Sequence, residues 1–189
     1  MSAAGGRTSP LRPPKSWGTA FLVAILMAGA LPLVAAGRAP HRTAAASATE
    51  TWATYANEKF GTVVSYPASR FAPEPPPDAH DGRSFTARDG ARLAVFAHFN
   101  VLNDTTASLE ASLTGEDYAA ITYRARGALW LVVSGYRRID GRPSVFYEKR
   151  ILSTDGGLVH GFLISYPLAL KAIYDPIAIR AAKSFGPGR

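Results

Sequence analysis

Apolar and polar residues alternate along much of the chain, and this pattern predicts a series of antiparallel β-strands. Asp-Gly dipeptides at 89–90, 140–141 and 155–156 separate these stretches, and Asp-Gly favours tight turns with positive φ. A fourth Asp-Gly pair stands at 81–82. The last four stretches follow one another closely, so we expect a four-stranded antiparallel meander over about residues 120–166. The predicted strands are residues 83–87, 91–99, 120–126, 129–137, 144–152 and 158–166.

Two further stretches have the spacing of amphipathic helices. Residues 105–113 begin with threonines suited to an N-cap and place two leucines four positions apart. Residues 168–185 also carry apolar side chains at helical spacing. Because proline lacks the backbone N–H, Pro176 should kink this second helix or restart it with Asp175 as a new N-cap.

Prolines mark the ends of predicted strands. The tripeptide Ser-Tyr-Pro occurs at 65–67 and 165–167, and each copy should close a strand because proline cannot donate to the next ladder position. The flanking residues do not match further, so the repeat does not indicate a duplicated domain. Residues 73–82 are rich in proline and predict an extended loop. The predicted fold class is α+β, with an antiparallel sheet of six to seven strands packed with helices.

The N-terminal part has a different character. Residues 18–37 are apolar and uncharged, and they follow a basic segment that contains no acids. This layout is typical of a secretory signal, while a run of about 20 apolar residues also suits a membrane-spanning helix. Cleavage near Ala36, giving a soluble periplasmic protein, and tethering to the inner membrane both stay open. The predicted organisation is a signal peptide or hydrophobic anchor helix in residues 1–37, a linker in 38–51 and a single α+β domain in 52–186.

The order of elements carries a family resemblance. An opening YANEKFGTVVSYP segment (55–67) is followed by a proline-rich loop, a hairpin, a helix, a meander and a terminal helix that ends AAKSF (181–185). This order resembles the PsbP-like fold of photosystem extrinsic subunits, a Ran-binding nuclear-import factor and several bacterial exported lipoproteins. The residues that carry the resemblance are Tyr55, Asn57, Phe60, Tyr66, Pro67, Ser184 and Phe185.

The resemblance implies a non-enzymatic binding or accessory role, and no binding residue can be carried over position by position. The lipoproteins of this fold carry a lipidated cysteine near the N-terminus. This chain has a linker rich in alanine and threonine there, so we expect no lipid anchor.

Composition and charge exclude several kinds of partner and of chemistry. The chain is 47% hydrophobic and 19% charged, as expected for a globular protein. The net charge is +7, but Arg7, Arg12 and Lys15 lie before residue 37, where no acid occurs, so the remainder has a balance of only +4. We therefore expect no nucleic-acid partner. The absence of cysteine excludes disulfides, thiolate nucleophiles and cysteine-ligated metals.

Sequence motifs of catalysis and cofactor binding are missing. There is no G-x-S-x-G element, no phosphate-binding loop and no dinucleotide fingerprint. Ser134 stands inside a predicted strand without the first glycine of a nucleophile elbow, so we interpret it as a strand serine. We expect a protein that is not an enzyme and uses no cofactor. The alternative is a cell-envelope hydrolase whose polar residues converge only in three dimensions.

The four histidines form no recognised metal-binding motif. His41 lies in the linker, and His80 stands between two aspartates in a segment that favours a solvated turn over a weak cation site. His98 and His160 belong to different predicted strands and could share a face of the sheet. The sequence thus predicts no metal site.

The strongest candidate for binding is a basic and aromatic surface on two predicted strands. Strand alternation places Thr122, Arg124 and Arg126 on one face, opposite to Ile121, Tyr123 and Ala125. On the next strand, Trp130, Val132, Ser134 and Tyr136 share a face. Arginine beside aromatic rings could hold an envelope protein, a lipid headgroup or an anionic polymer. A solvated face paired locally with Glu148 is the alternative. The predicted binding residues are Arg124, Arg126, Trp130, Tyr136, Arg137 and Arg138.

Overall fold

The computed structural model describes residues 50–115 and 120–188, which form two antiparallel β-sheets and two α-helices. The predicted α+β class is confirmed. The helices are α1 (Thr106–Leu113) and α2 (Lys171–Ser184). The strands are β1 (Trp52–Ala56), β2 (Thr62–Pro67), β3 (Phe71–Pro73), β4 (Gly82–Ala87), β5 (Arg92–Phe99), β6 (Ala120–Arg126), β7 (Trp130–Ile139), β8 (Arg142–Leu152), β9 (Leu158–Pro167) and β10 (Gly186–Pro187).

The predicted N-terminal signal or anchor, and nearly all of the linker, lie outside the described residues. Within the described ranges, no helix combines the length and the hydropathy needed to cross a bilayer.

The larger sheet has seven strands in the order β3-β4-β5-β9-β8-β7-β6. Its second half is the predicted meander, because β6, β7, β8 and β9 pair with their sequence neighbours in antiparallel fashion. Asp140 and Gly141 both have positive φ, and Ile139 pairs directly with Arg142 across this two-residue turn. Gly82 instead begins β4, so the Asp-Gly pair at 81–82 is not a hairpin turn. A separate three-stranded sheet has the order β1-β2-β10.

Helices pack on both faces of the larger sheet. The α2 face carries α2 together with the small sheet, and its core includes Val64, Leu93, Phe162, Ile164, Tyr174, Ile177 and Phe185. The α1 face carries α1, and its smaller core consists of Leu109, Leu113, Leu131, Val133, Phe146, Leu152 and Val159. Strand alternation assigns every sheet residue to one of these two faces.

Helix α1 begins as the sequence predicted. The Thr105 hydroxyl accepts from the Ser108 backbone N–H, and the Ser108 hydroxyl accepts from the Thr105 N–H. This reciprocal capping box satisfies two donors that the first turn would otherwise leave unpaired. Leu109 and Leu113 are buried against the sheet.

Helix α2 continues through Pro176, so the predicted restart at this position is wrong, while a kink there stays a prediction. Pro176 is near the start of the helix, where one missing backbone hydrogen bond is offset by core contacts of Tyr174 and Ile177 on either side. Asp175 does not act as an N-cap. Its carboxylate instead accepts from the Tyr166 hydroxyl at 2.7 Å and from the Lys171 ammonium.

Residues behind the family resemblance hold loops and termini in place. The Asn57 side chain accepts from the Phe60 N–H at 2.8 Å and donates to the His80 carbonyl at 3.0 Å, which joins the first hairpin to the proline-rich loop. The Ser184 hydroxyl accepts from the backbone N–H of Ser65 at 2.8 Å and thereby joins α2 to β2. Pro67 and Pro167 are the last residues of their strands, as predicted.

Candidate binding groove

A β-bulge in β6 divides the predicted basic and aromatic surface between the two faces of the sheet. Ile121 pairs with Gly135, whereas Tyr123 pairs with Ser134, so Thr122 is an extra residue in β6. An extra residue reverses the facing of every residue after it. Arg124 therefore pairs with Val133 and lies on the α1 face, while Tyr123 lies on the α2 face. The prediction that Arg124 and Arg126 share a face with Trp130 and Tyr136, and that Ile121 shares a face with Tyr123, is wrong for this reason. Arg137 also lies apart from Tyr136, because adjacent residues of β7 face opposite sides of the sheet.

On the α1 face, the two arginines of β6 have a common acidic neighbour. The guanidinium of Arg126 lies 3.3 Å from the Glu110 carboxylate, and that of Arg124 lies 4.0 Å from it. Both arginine side chains are about half exposed, so solvent weakens these ion pairs. Glu148, the partner considered from the sequence, is buried on the α1 face and pairs with Arg150 instead.

The other predicted arginines lie at the far end of β7. The Arg137 guanidinium lies 5.1 Å from the centre of the Phe146 ring on the α1 face. Arg138 is exposed and donates a hydrogen bond to the Gly141 carbonyl. Their role in binding stays a prediction.

Trp130 and Tyr136 lie on the α2 face, where a groove runs between α2 and strands β6 to β8. Its main cavity has a volume of about 730 Å³, which is in the range of small-molecule sites. A smaller hollow of about 250 Å³ adjoins it and shares Tyr123, Tyr147 and Ile179. We call the two together the aromatic groove. Residues lining the main cavity are Tyr123, Leu129, Trp130, Val132, Tyr147, Lys149, Ile151, Leu152, Ser153, Thr154, Ile179, Ala182, Lys183 and Pro187.

Large apolar side chains in this groove are exposed. The exposed fractions are 55% for Tyr123, 42% for Trp130 and 54% for Ile179. These three residues come from β6, β7 and α2, so exposed apolar surface from three elements meets in one place. A contiguous apolar patch on a soluble domain commonly marks a binding site.

Gly127 fixes the position of Trp130. The Gly127 N–H donates to the Trp130 carbonyl at 2.8 Å in the turn between β6 and β7. A Cβ at residue 127 would lie 2.4 Å from the indole nitrogen, so only glycine allows the ring to lie against this turn. The turn thereby holds the indole at the mouth of the groove.

Lys149 brings a positive charge into the groove. Its ammonium donates to the Ala182 carbonyl at 3.0 Å and lies 5.7 Å from the centre of the Phe185 ring. Burial lowers the pKa of Lys149 below its usual value of 10.5. Lys183 also lines the cavity and is exposed.

The polar groups considered for catalysis are held by structural contacts. The Ser134 hydroxyl donates to the Phe146 carbonyl at 2.8 Å, across the β7–β8 ladder. His160 is buried on the α2 face with its Nδ1 2.8 Å from the Thr62 hydroxyl, and burial lowers its pKa. His98 pairs with Val159 and lies on the α1 face, so the two histidines do not share a face. Residues 50–115 and 120–188 contain no group of three or more side chains able to hold a metal.

Sequence reasoning missed several residues that line the groove. Tyr123 was assigned to the opposite face because Thr122 gives no signal of a bulge, being neither glycine nor proline. Ile179 and Leu129 could have been found only by knowing which residues of α2 and of the β6–β7 turn remain exposed. Alternation along β7 did correctly place Trp130 and Tyr136 on one face.

Comparisons with known proteins identify the fold. No protein-family model matches the chain, and no curated protein matches it. The solution structure of the cyanobacterial PsbP protein CyanoP from Synechocystis has 13% sequence identity and a TM-score of 0.52, and the match covers 79% of this chain and 99% of that chain. The chain has a PsbP-like fold, as the sequence resemblance predicted. The Saccharomyces cerevisiae Ran-binding protein Mog1p has 9% identity and a TM-score of 0.49, covering 74% of this chain and 96% of that chain.

Proposed function

We propose that this chain is an exported, non-catalytic binding domain and that the aromatic groove is its binding site for an apolar ligand. The observation that carries this proposal is the convergence of exposed Tyr123, Trp130 and Ile179 on one cavity of about 730 Å³. Covering such side chains removes apolar surface from water, which favours binding by about 25 cal/mol per Å².

The contacts of the polar groups support a role without catalysis. A serine nucleophile needs a base within hydrogen-bond reach, and the Ser134 hydroxyl is engaged by a backbone carbonyl instead. The buried His160 is bonded to Thr62, on a strand of the small sheet. These contacts favour a binding domain over the envelope hydrolase considered from the sequence.

Export is supported by the uncharged apolar run of residues 18–37 after a basic segment. Fractionation of the producing cells, with intact mass of the product, tests it. A soluble periplasmic species that starts near Gly37, or a full-length species in the membrane fraction, agrees with export. A full-length species in the cytoplasmic fraction would refute it.

Binding in the groove is tested with the uncharged fluorescent probe N-phenyl-1-naphthylamine. Two isoleucines of α2 offer a matched pair of variants, since both are exposed but only Ile179 lines the groove. We expect Ile179→Glu to weaken probe binding about tenfold or more, because a carboxylate in an apolar site costs well over 1.4 kcal/mol. Ile173→Glu should leave binding within about threefold of wild type. Equal effects of both variants, or no saturable binding by the wild type, would reject the groove as the site.

A further inference from the structure

Two ammonium groups line the aromatic groove beside the last turn of α2. Lys183 belongs to that turn, and Lys149 reaches it from β8 through its bond to the Ala182 carbonyl. Among the described residues, neither lysine takes part in an ion pair. No aspartate or glutamate is among the residues that line the main cavity. Because Lys149 pairs with Val132, it lies between Trp130 and Tyr123 along the strands, and this part of a largely apolar cavity is positively charged.

The environment of Lys149 leaves room for an anion. A lysine ammonium has three donors, and one hydrogen bond to a described residue is present, the bond to Ala182. Partial burial disfavours the charged form, as the lowered pKa indicates. An anionic oxygen at this position would accept a charge-assisted hydrogen bond and offset the desolvation of the ammonium.

The end of the groove at the smaller hollow differs in its charge. In the adjoining hollow, Lys171 and Asp175 form an ion pair, and the Tyr166 hydroxyl donates to the same carboxylate. The charges of Lys171 and Asp175 cancel, so that end of the groove has no net charge. Its other lining residues include Tyr123, Tyr136 and Ile179. From Lys149 toward Asp175, the groove thus passes from a cationic part, along Tyr123 and Ile179, to an end without net charge.

We propose that the ligand is a monomeric single-chain amphiphile with an anionic head, bound with its head at Lys149 and Lys183 and its chain along Tyr147, Tyr123 and Ile179. This inference rests on the proposed function, because it assigns the ligand class of the same groove. The charge of the lysines selects the head, and the apolar stretch between the lysines and the adjoining hollow holds the chain.

Three probes with the same ten-carbon chain and different heads test the proposal on the full-length protein. They are decanoate, decanol and decylammonium, each titrated below its micelle concentration and followed by displacement of N-phenyl-1-naphthylamine. We expect decanoate to bind about tenfold more tightly than decanol, and decylammonium to bind most weakly, because one charge-assisted hydrogen bond changes affinity on that scale.

Lys149→Met keeps the apolar stem and removes the charge, so it should abolish the preference for decanoate while decanol binding stays within about threefold. Lys59→Met is the matched control. Lys59 also donates to a backbone carbonyl, that of Ala79 at 2.9 Å, and lies 5.1 Å from a phenylalanine ring, but it is outside the groove. This variant should retain the full preference. If Lys149→Met does not fold, Lys183→Met tests instead whether a lysine charge in the groove produces the preference for decanoate.

The outcomes separate the two proposals. If decanoate and decanol bind equally, and Ile179→Glu weakens both, the anionic head is rejected and the apolar groove stands. If neither probe responds to Ile179→Glu, the groove itself is rejected. A decanoate preference that persists in both lysine variants would also overturn the inference. Displacement by phosphatidylglycerol vesicles that depends on Lys149 would assign a bilayer lipid in place of a free monomer.

Discussion

The Lys149 ammonium donates a hydrogen bond to the Ala182 carbonyl at 3.0 Å and so joins the middle of β8 to the last turn of α2. This contact connects the floor of the aromatic groove with its wall. The last turn of a helix has carbonyls without partners and a partial negative charge, which favour a cation at this place. The same lysine is thus a structural tie and, in our proposal, the anion-binding group.

The lowered pKa of Lys149 predicts a pH dependence of stability. The unfolded chain binds a proton at this lysine up to a pKa of about 10.5, whereas the folded protein releases it at lower pH. Between these two values the unfolded state holds more protons, so the free energy of unfolding should rise with pH. Urea denaturation at pH 8 and pH 9.5 measures this rise. In Lys149→Met it should be absent, and an unchanged rise in that variant would contradict the assignment.

The raised pKa of Tyr166 predicts the opposite trend above pH 10, where the free energy of unfolding should fall as pH rises. Burial, followed by the hydrogen bond to Asp175, raises the pKa of its hydroxyl above the usual value of 10.0. The unfolded tyrosine therefore loses its proton first, and the stability that Tyr166 contributes is complete below pH 10 and is lost as pH rises beyond it. Tyr166→Phe should lower the free energy of unfolding at pH 7 by about 1.5–3 kcal/mol, the scale of a hydrogen bond to a charged group.

The same variant should lose less stability than the wild type between pH 10 and pH 12. Tyr66→Phe is a suitable control, since Tyr66 has no described hydroxyl hydrogen bond and lies in the small sheet. Equal alkaline loss in wild type and Tyr166→Phe would show that the buried hydroxyl does not govern this range.

The meander from β6 to β9 could be predicted because glycine marks each of its turns. The turn at Asp140 and Gly141 needs two residues with positive φ, and Asp-Gly supplies them directly. The facing of β6 could not be predicted, because the bulge at Thr122 depends on how β6 fits against Gly135. The local sequence also does not show which of the three charged residues at 148–150 are buried. In the structure Lys149 points to the α2 face, while Glu148 and Arg150 form a pair on the α1 face. Which of these side chains is buried depends on how the helices pack on the two faces of the sheet, and the local sequence does not show this packing.

A double variant of Arg124 and Arg126 tests their predicted binding role independently of binding in the aromatic groove. Exposed ion pairs contribute little, so Arg124→Ala combined with Arg126→Ala should lower the free energy of unfolding by less than about 1 kcal/mol. Because these residues lie on the α1 face, binding of N-phenyl-1-naphthylamine in the groove should stay unchanged. Retention on a heparin column measures the predicted binding of an anionic polymer. A weaker retention supports the arginines as a second surface, and unchanged retention removes them from the candidate site.

Gly135 permits the bulge that separates the two faces, and its replacement tests that geometry. A Cβ at residue 135 would lie 1.9 Å from the carbonyl oxygen of Ala120, so β6 would have to move. We expect Gly135→Ala to lower the free energy of unfolding by about 1–3 kcal/mol, as inserted atoms do in tightly packed places. Probe binding should weaken as well, because displacement of β6 moves Tyr123 out of the groove. Gly186→Ala is the control, since a Cβ there meets no atom within 4 Å. Thermal melts of both variants would decide the matter, and equal stability would mean that β6 can shift freely and that the bulge does not depend on this glycine.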